Sequence, residues 1–247
     1  MNRYRERIGA MQPASSTVYP PPLTLYYSPK ACSLASHIAL EESGLPYGAV
    51  SVDIRAGENV KESYLRINPS GVVPALGAGD TVITESQAIL TYIADLVPET
   101  TLIPRPGTRA RARAHEWMNW ISSSVHVTYR SIFKPQTYAG DDTHASAAVR
   151  EYAKKKLCNI LLEVEARLGN SPYALGSEFS VVDAYLFVFY VWSFDERIEA
   201  ELPSRPRCAV HAARVWSRPA VRTVVARERA VRAYALPPDI GFALDAE

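Results

Sequence analysis

The sequence predicts a small α/β layer followed by an all-helical half, on three observations. Within LTLYYSPKACSLASHIAL (Leu23 to Leu40) the pattern changes from a strand-like apolar run to apolar residues one helical turn apart. The chain then spells β-α-β followed by β-β-α as far as Pro98. From Thr108 onward every apolar repeat is helical.

Leu23 to Tyr27 reads as the first strand, and about Cys32 to Ser43 as a helix closed by Gly44, which suits a left-handed cap. Val50-Ser-Val-Asp-Ile54 alternates as a second strand. A short helix is expected near Val60 to Arg66, and a turn at Asn68-Pro-Ser-Gly71. Val72-Val-Pro-Ala-Leu76 and Thr81-Val-Ile83, joined by Gly77-Ala-Gly-Asp80, form an antiparallel hairpin. Pro74 cannot donate to a sheet ladder, so it marks a special backbone position at a strand's start. Thr84-Glu-Ser-Gln87 fits a capping box with Thr84 as N-cap, opening a helix through Ile89, Ile93 and Leu96.

Leu102-Ile-Pro-Arg-Pro-Gly107 is the natural linker to the helical half. There Trp117, Ile121, Val125 and Ile132 mark one face, and Val149, Ala153, Leu157, Ile160, Leu161, Val164 and Leu168 another, stopped by Gly169-Asn170. Ser180-Val-Val-Asp183 opens the apolar run VVDAYLFVFYVW, which falls short of the ~18 apolar residues of a membrane span and reads as a buried core helix. Helical stretches follow around Val210 to Trp216 and Pro219 to Arg229. The expected organisation is a flexible extension at 1–22, the α/β unit at 23–101, the helical unit at 108–232 and a tail at 233–247.

Bulk composition excludes several classes of function. With 27 basic and 26 acidic residues the chain has no global field drawing it to nucleic acid or a membrane surface. Three dispersed cysteines, Cys32, Cys158 and Cys208, fit no disulfide framework, point to a reducing cytoplasm, and show no metal-ligand spacing. The first 22 residues hold Arg3, Arg5 and Arg7 but no apolar stretch of a secretory signal.

Chemistry concentrates at two helix starts. Cys32 lies at or just before the first turn of the first helix, where unpaired N–H groups and the helix dipole favour an anion and lower a thiol's pKa. The other reading of Cys32 is a small buried apolar residue. Ala35 stands where a dithiol motif would carry its second cysteine, so a thiol partner must come from outside. Tyr27, Ser28 and Ser33 are the hydroxyls near enough in sequence to serve a sulfur anion, or to cap the helix. Glu85 and Ser86 can together take the ammonium and carboxylate of a free amino-acid end, or express ordinary acidic bias at a helix N-terminus.

His126 sits on a helix face otherwise carrying short hydroxyls and reads as structural or catalytic; His37 and His115 have less support, and His144 and His211 read as surface residues. Arg105, Arg109, Arg111 and Arg113 read as a solvated helix face.

The stretches LYYSPKACSLASHIALEESGLPY, INPSGVVPAL, TESQAILTYIADL, EWMNWISSSVH and SVVDAYLF, in this order, resemble the cytosolic glutathione S-transferases, most closely the bacterial beta class. The resemblance implies a thioredoxin-like N-terminal domain, an all-α C-terminal domain, glutathione as co-substrate, no metal, and a homodimer in the cytoplasm. It implies that Cys32 lies beside the glutathione sulfur and His126 faces it from the helical half. It further implies that a cis bond precedes Pro74, that the Val73 backbone pairs with the cysteinyl part, that Glu85 and Ser86 take the γ-glutamyl end, and that Tyr27 and Ala31 line the site. Asn119 corresponds to a residue reaching the site across the dimer, while Ser180 and Asp183 correspond to a capping box that serves folding. Val127 replaces a lysine common in the class, and Arg55-Ala-Gly-Glu-Asn59 replaces a lysine-bearing loop, leaving Arg55 or Lys61 to compensate.

The expected function is conjugation of the glutathione thiolate to small hydrophobic electrophiles, a detoxifying transfer, with Tyr129, Phe133 and Tyr185 lining the hydrophobic site. The rivals are glutathione-dependent thiol-disulfide or peroxidase chemistry at Cys32, and a non-catalytic binding scaffold.

Overall fold

The computed structural model describes residues 20–198 and 202–241. Most of the 1–22 extension and the end of the 233–247 tail therefore lie outside the described residues. A four-stranded sheet has the order β2-β1-β3-β4, with β1 (Leu23–Tyr27) parallel to β2 (Tyr47–Ser51) and antiparallel to β3 (Ala75–Ala78), which pairs antiparallel with β4 (Thr81–Thr84). Register centres on Leu25, opposite Ala49 on one side and Leu76 on the other.

The alternation in β1 divides the layers. Leu23, Leu25 and Tyr27 face a core shared with α1 (Leu34–Ser43), while Tyr26 packs on the opposite face with Val52, Val73 and Tyr64 of α2 (Glu62–Leu65). α1 ends where predicted, at Gly44 with φ 68°. After β4 comes α3 (Ser86–Leu96), whose Ile89, Leu90 and Ile93 are fully buried. This is the thioredoxin-like arrangement expected for the N-terminal half.

The helical half comprises α4 (Arg109–Trp120), a π-helical turn (Ile121–Val125), α5 (His126–Phe133), α6 (Gln136–Ala139), α7 (Thr143–Leu168), α8 (Val181–Trp192), α9 (Pro206–Trp216), α10 (Pro219–Val231) and α11 (Pro238–Gly241). Every residue of α8 is buried, as expected of a helix apolar all round. Among the described residues no helix is long and apolar enough to cross a membrane.

Four local expectations are corrected. The second strand is Tyr47–Ser51, because pairing stops where β1 ends and the Asp53 carboxylate turns the chain by accepting from the N–H groups of Arg55 and Ala56. The third strand starts after Pro74 and takes in Gly77 and Ala78, leaving Gly79 and Asp80 as the hairpin turn. Thr84 belongs to β4 and Glu85 stands at the N-cap without a side-chain cap, so no capping box forms there. The helix expected to begin at Cys32 begins at Leu34.

His211 is not a surface residue: it is buried in α9, its Nε2 2.8 Å from Asp183 Oδ1. Arg111 also leaves the solvated face, donating two hydrogen bonds to the Asp95 carboxylate at 2.9 and 2.7 Å and linking α4 to α3. The two halves meet along α1 and α10 through His37 with Glu228, Glu41 with Arg227 and Glu42 with Arg218.

Candidate functional site

The turn Ser28 to Ser33 delivers Cys32. Ser33 Oγ accepts from the Ser28 N–H and donates to its carbonyl, at 3.1 and 3.2 Å, closing the loop on itself. That commits Ser33 to the backbone and removes it as a partner for a sulfur anion. Cys32 then lies two residues ahead of α1, and its thiol donates to the carbonyl of Val73 at 3.3 Å. The Val73–Pro74 peptide bond is cis.

The expectation of a lowered thiol pKa at Cys32 is corrected. Burial pushes the thiol up to about 11, with the Glu85 carboxylate adding to the rise, against weaker lowering by the N–H groups of Cys32 and Ser33 and by Ser86. The helix-start donors are present, yet desolvation wins because the sulfur has almost no contact with water. At neutral pH Cys32 is a neutral hydrogen-bond donor, and any sulfur anion here belongs to something it donates to.

Pairing of Ala75 with Thr84 carries the chain to Glu85 and Ser86 at the Pro74 end of β3, and both groups act on the Cys32 thiol. Glu85 is exposed and holds φ 70°, a left-handed backbone rarely adopted by a residue with a side chain, whereas Ser86 is buried at the first position of α3. From the helical half Tyr185, buried in α8, has its hydroxyl pKa raised chiefly by burial and then by Cys32, with Ser86 acting to lower it. Sequence alone placed Tyr185 in a hydrophobic pocket. Its position in an unbroken apolar helix carried no sign of this influence across the halves.

His126 follows the π-helical turn, and its ring packs on Phe189 and Trp192 at 5.5 and 5.4 Å between centroids. The hydroxyl residues on either side of it were the available signal: Ser122 Oγ donates to the Met118 carbonyl and Thr128 Oγ1 to that of Ser124, side-chain bonds that compete with the α-helical ladder. Burial lowers the His126 pKa from 6.5 to about 4, with Arg130 adding to the fall, so the imidazole is neutral at pH 7. Between those two values the unfolded chain binds the extra proton and the folded chain does not, so stability falls as pH drops from 6.5 to about 4. Thermal midpoints of wild type and His126→Asn across that window test this: the wild type is expected to lose more as pH falls, and parallel profiles would contradict it.

The remaining candidates divide. Ala31 is half-buried against the cluster of Val52, Tyr64 and Val73. Tyr27 is in contact with the α1 side, its ring 4.8 Å from that of His37 and its hydroxyl raised in pKa by burial and then by Glu228. Asn119 is exposed on α4. Tyr129 is fully buried, donating its hydroxyl to the Phe189 carbonyl at 2.9 Å. Phe133 is half-buried beneath the Arg197 guanidinium, 4.0 Å from its ring centroid. Among the described residues no group of His, Cys, Asp and Glu is placed to hold a metal ion.

The loop itself carries contacts that sequence reading missed. Trp192 Nε1 donates to the Lys30 carbonyl at 2.7 Å, Lys30 Nζ pairs with Asp195 at 3.0 Å, and the Lys30 N–H donates to Glu228 at 3.0 Å. These partners lie 162, 165 and 198 residues away in sequence, beyond the reach of any local pattern.

Comparison with known proteins agrees with this architecture. Residues 21–95 match the family model of the glutathione S-transferase N-terminal domain, and residues 129–228 that of the C-terminal domain. Glutathione S-transferase GstA of Escherichia coli O157:H7 is 34% identical over 209 residues, spanning 83% of this chain and 98% of that protein. A glutathione transferase homolog from Sulfitobacter, solved with bound glutathione, superposes with TM-score 0.76 at 31% identity, covering 83% of this chain and 98% of that one. A bacterial beta class enzyme from Sphingomonas chungbukensis gives TM-score 0.70 at 35% identity, with the same coverage of both chains. With both halves of the fold matched and nearly the whole of a bacterial relative spanned, the chain belongs to the glutathione S-transferase family.

Proposed function

We propose that the protein joins the sulfur of glutathione to an electrophilic carbon of a small hydrophobic compound, at a site built from Cys32, Val73, Glu85 and Ser86 and faced by the helical half. The observation that carries this reading is the meeting of the Cys32 thiol with the Val73 carbonyl beside the cis Pro74, with Glu85 and Ser86 next to it. The Val73 backbone pairs with the cysteinyl part of glutathione and Glu85 and Ser86 hold its γ-glutamyl end, leaving its sulfur near Cys32. The neutral Cys32 thiol has one proton, so on glutathione binding it turns from the Val73 carbonyl, leaving that carbonyl to the cysteinyl part, and donates its hydrogen bond to the glutathione sulfur, favouring the thiolate. The thiolate attacks carbon, a C–S bond forms, and the leaving group departs with the bonding electrons while the thiol proton passes to solvent. His126, Phe133 and Tyr185 line the hydrophobic side, and the Tyr185 hydroxyl is the group of that lining on which Cys32 and Ser86 act. Tyr129 serves as its buried support.

Placement in the beta class rests on Cys32 and His126. A homodimer bringing Asn119 toward the partner's site, and a cytoplasmic, detoxifying role, complete the proposal.

Conjugation of a chloronitroaromatic with and without glutathione tests it. A glutathione-dependent rate is expected, with Cys32→Ala keeping it within about tenfold, since one hydrogen bond to a charged group is at stake. Absence of a glutathione-dependent rate across a panel of electrophiles, together with no glutathione binding by calorimetry, would leave the non-catalytic scaffold. Complete loss in Cys32→Ala, with a Cys32–glutathione disulfide seen by mass spectrometry during turnover, would transfer the chemistry to thiol-disulfide exchange.

A further inference from the structure

Every polar group of Lys30 is held by the helical half. Its N–H donates to Glu228 Oε2, its carbonyl accepts from Trp192 Nε1, and its ammonium pairs with Asp195. The neighbouring Pro29 carbonyl accepts from Arg232. Lys30 has φ 64°, a backbone conformation that side-chain-bearing residues disfavour and that persists only where surroundings enforce it. Glu228 is fully buried in α10, and its second oxygen meets His37 Nδ1 of α1 at 2.9 Å, so one carboxylate ties the loop and the following helix to the opposite half.

Only Ala31 separates Lys30 from Cys32. The N–H groups of Ala31, Leu34 and Ala35 bond to the carbonyls of Ser28, Ala31 and Cys32 in one continuous tight turn. A turn so closed transmits a shift at Lys30 to Cys32, having no slack segment to absorb it.

We infer that Glu228 is a positioning residue of the glutathione site: by fixing Lys30 it sets where Ala31 and Cys32 stand, so that glutathione affinity is governed from α10. The inference rests on the function proposed above. His37 makes a discriminating substitution possible. Its Nε2 is buried and has no partner among the described residues, so its proton can move there from Nδ1 without losing a hydrogen bond. In Glu228→Gln the amide oxygen then accepts from Lys30 and the amide nitrogen donates to His37 Nδ1, keeping both contacts. Glu228→Ala leaves both unmade.

The test measures glutathione Kd by calorimetry and the alkylation rate of Cys32 by iodoacetamide, followed on its own peptide by mass spectrometry. Glu228→Ala is expected to raise Kd about tenfold or more and to speed Cys32 alkylation, while Glu228→Gln stays within about threefold of wild type in both. Val225→Ala, fully buried in the same helix, is the control for general loosening and is expected to lose stability while keeping the wild-type Kd. A Glu228→Ala protein with wild-type Kd and alkylation rate overturns the positioning role, as does a Val225→Ala protein that reproduces its changes. Should Glu228→Ala fail to fold, Trp192→Phe, which deletes the bond to the Lys30 carbonyl while keeping an aromatic ring, carries the same two readouts, and wild-type values in both overturn the inference. A wild type that binds no glutathione overturns the proposed function instead, and Cys32 alkylation still decides the positioning.

Discussion

Asp183→Ala is expected to lower the stability of the protein by roughly 3–5 kcal/mol. The carboxylate is fully buried at the start of α8 and accepts four hydrogen bonds: from the Ser180 N–H at 2.8 Å, the Ser180 hydroxyl at 2.9 Å, the Ala174 N–H at 2.7 Å and His211 Nε2 at 2.8 Å. Alanine removes the acceptor and leaves these donors in a place water does not reach. The damage falls on a helix buried at every position, whose first N–H also bonds to the Leu102 carbonyl of the linker. For a chain of this size each kcal/mol is worth about 2–4 °C, so the thermal midpoint is expected to fall by on the order of 10 °C. Asp183→Asn, which keeps one acceptor oxygen, is expected to fall in between. A midpoint within about 2 °C of wild type for the alanine variant, less than about 1 kcal/mol, would show that the network is dispensable.

The capping box of α8 was legible because its parts are local. Ser180 and Asp183 stand three apart ahead of an apolar run, and the structure holds both halves of the box. What made it a larger network, His211, was not legible, because its partner lies 28 residues away and nothing near His211 in sequence distinguishes a buried histidine from an exposed one. The same division runs through the site. The first strand, the Gly44 stop and the special backbone at Pro74 follow from short-range rules and stand as expected. Thr84-Glu-Ser-Gln87 obeys a local rule too, yet the structure overrides it: pairing with Ala75 draws Thr84 into β4, and the helix start passes to Glu85. The electrostatic character of Cys32 was missed for a related reason. Helix-start position lowers a thiol's pKa and burial raises it, and only the first of these can be read from sequence spacing.

Glu85→Gly is expected to weaken glutathione binding by about tenfold to a hundredfold without lowering stability. Glu85 carries two separable features. Its exposed carboxylate is the proposed partner of the γ-glutamyl ammonium, and its backbone sits at φ 70°, where any side chain is strained. Alanine would remove the carboxylate and keep the strain, confounding the two. Glycine removes the carboxylate and relieves the strain, since it adopts positive φ as readily as negative, and the relief offsets the entropy that glycine adds to the unfolded chain. A wild-type or higher thermal midpoint with weaker binding therefore assigns the whole loss to the missing charge. Because the interaction is electrostatic and open to solvent, the gap between wild type and variant is also expected to narrow as salt rises. Unchanged glutathione affinity in Glu85→Gly at low salt would remove Glu85 from the site. In that case φ 70° at residue 85 would be a feature of the turn from β4 into α3 alone.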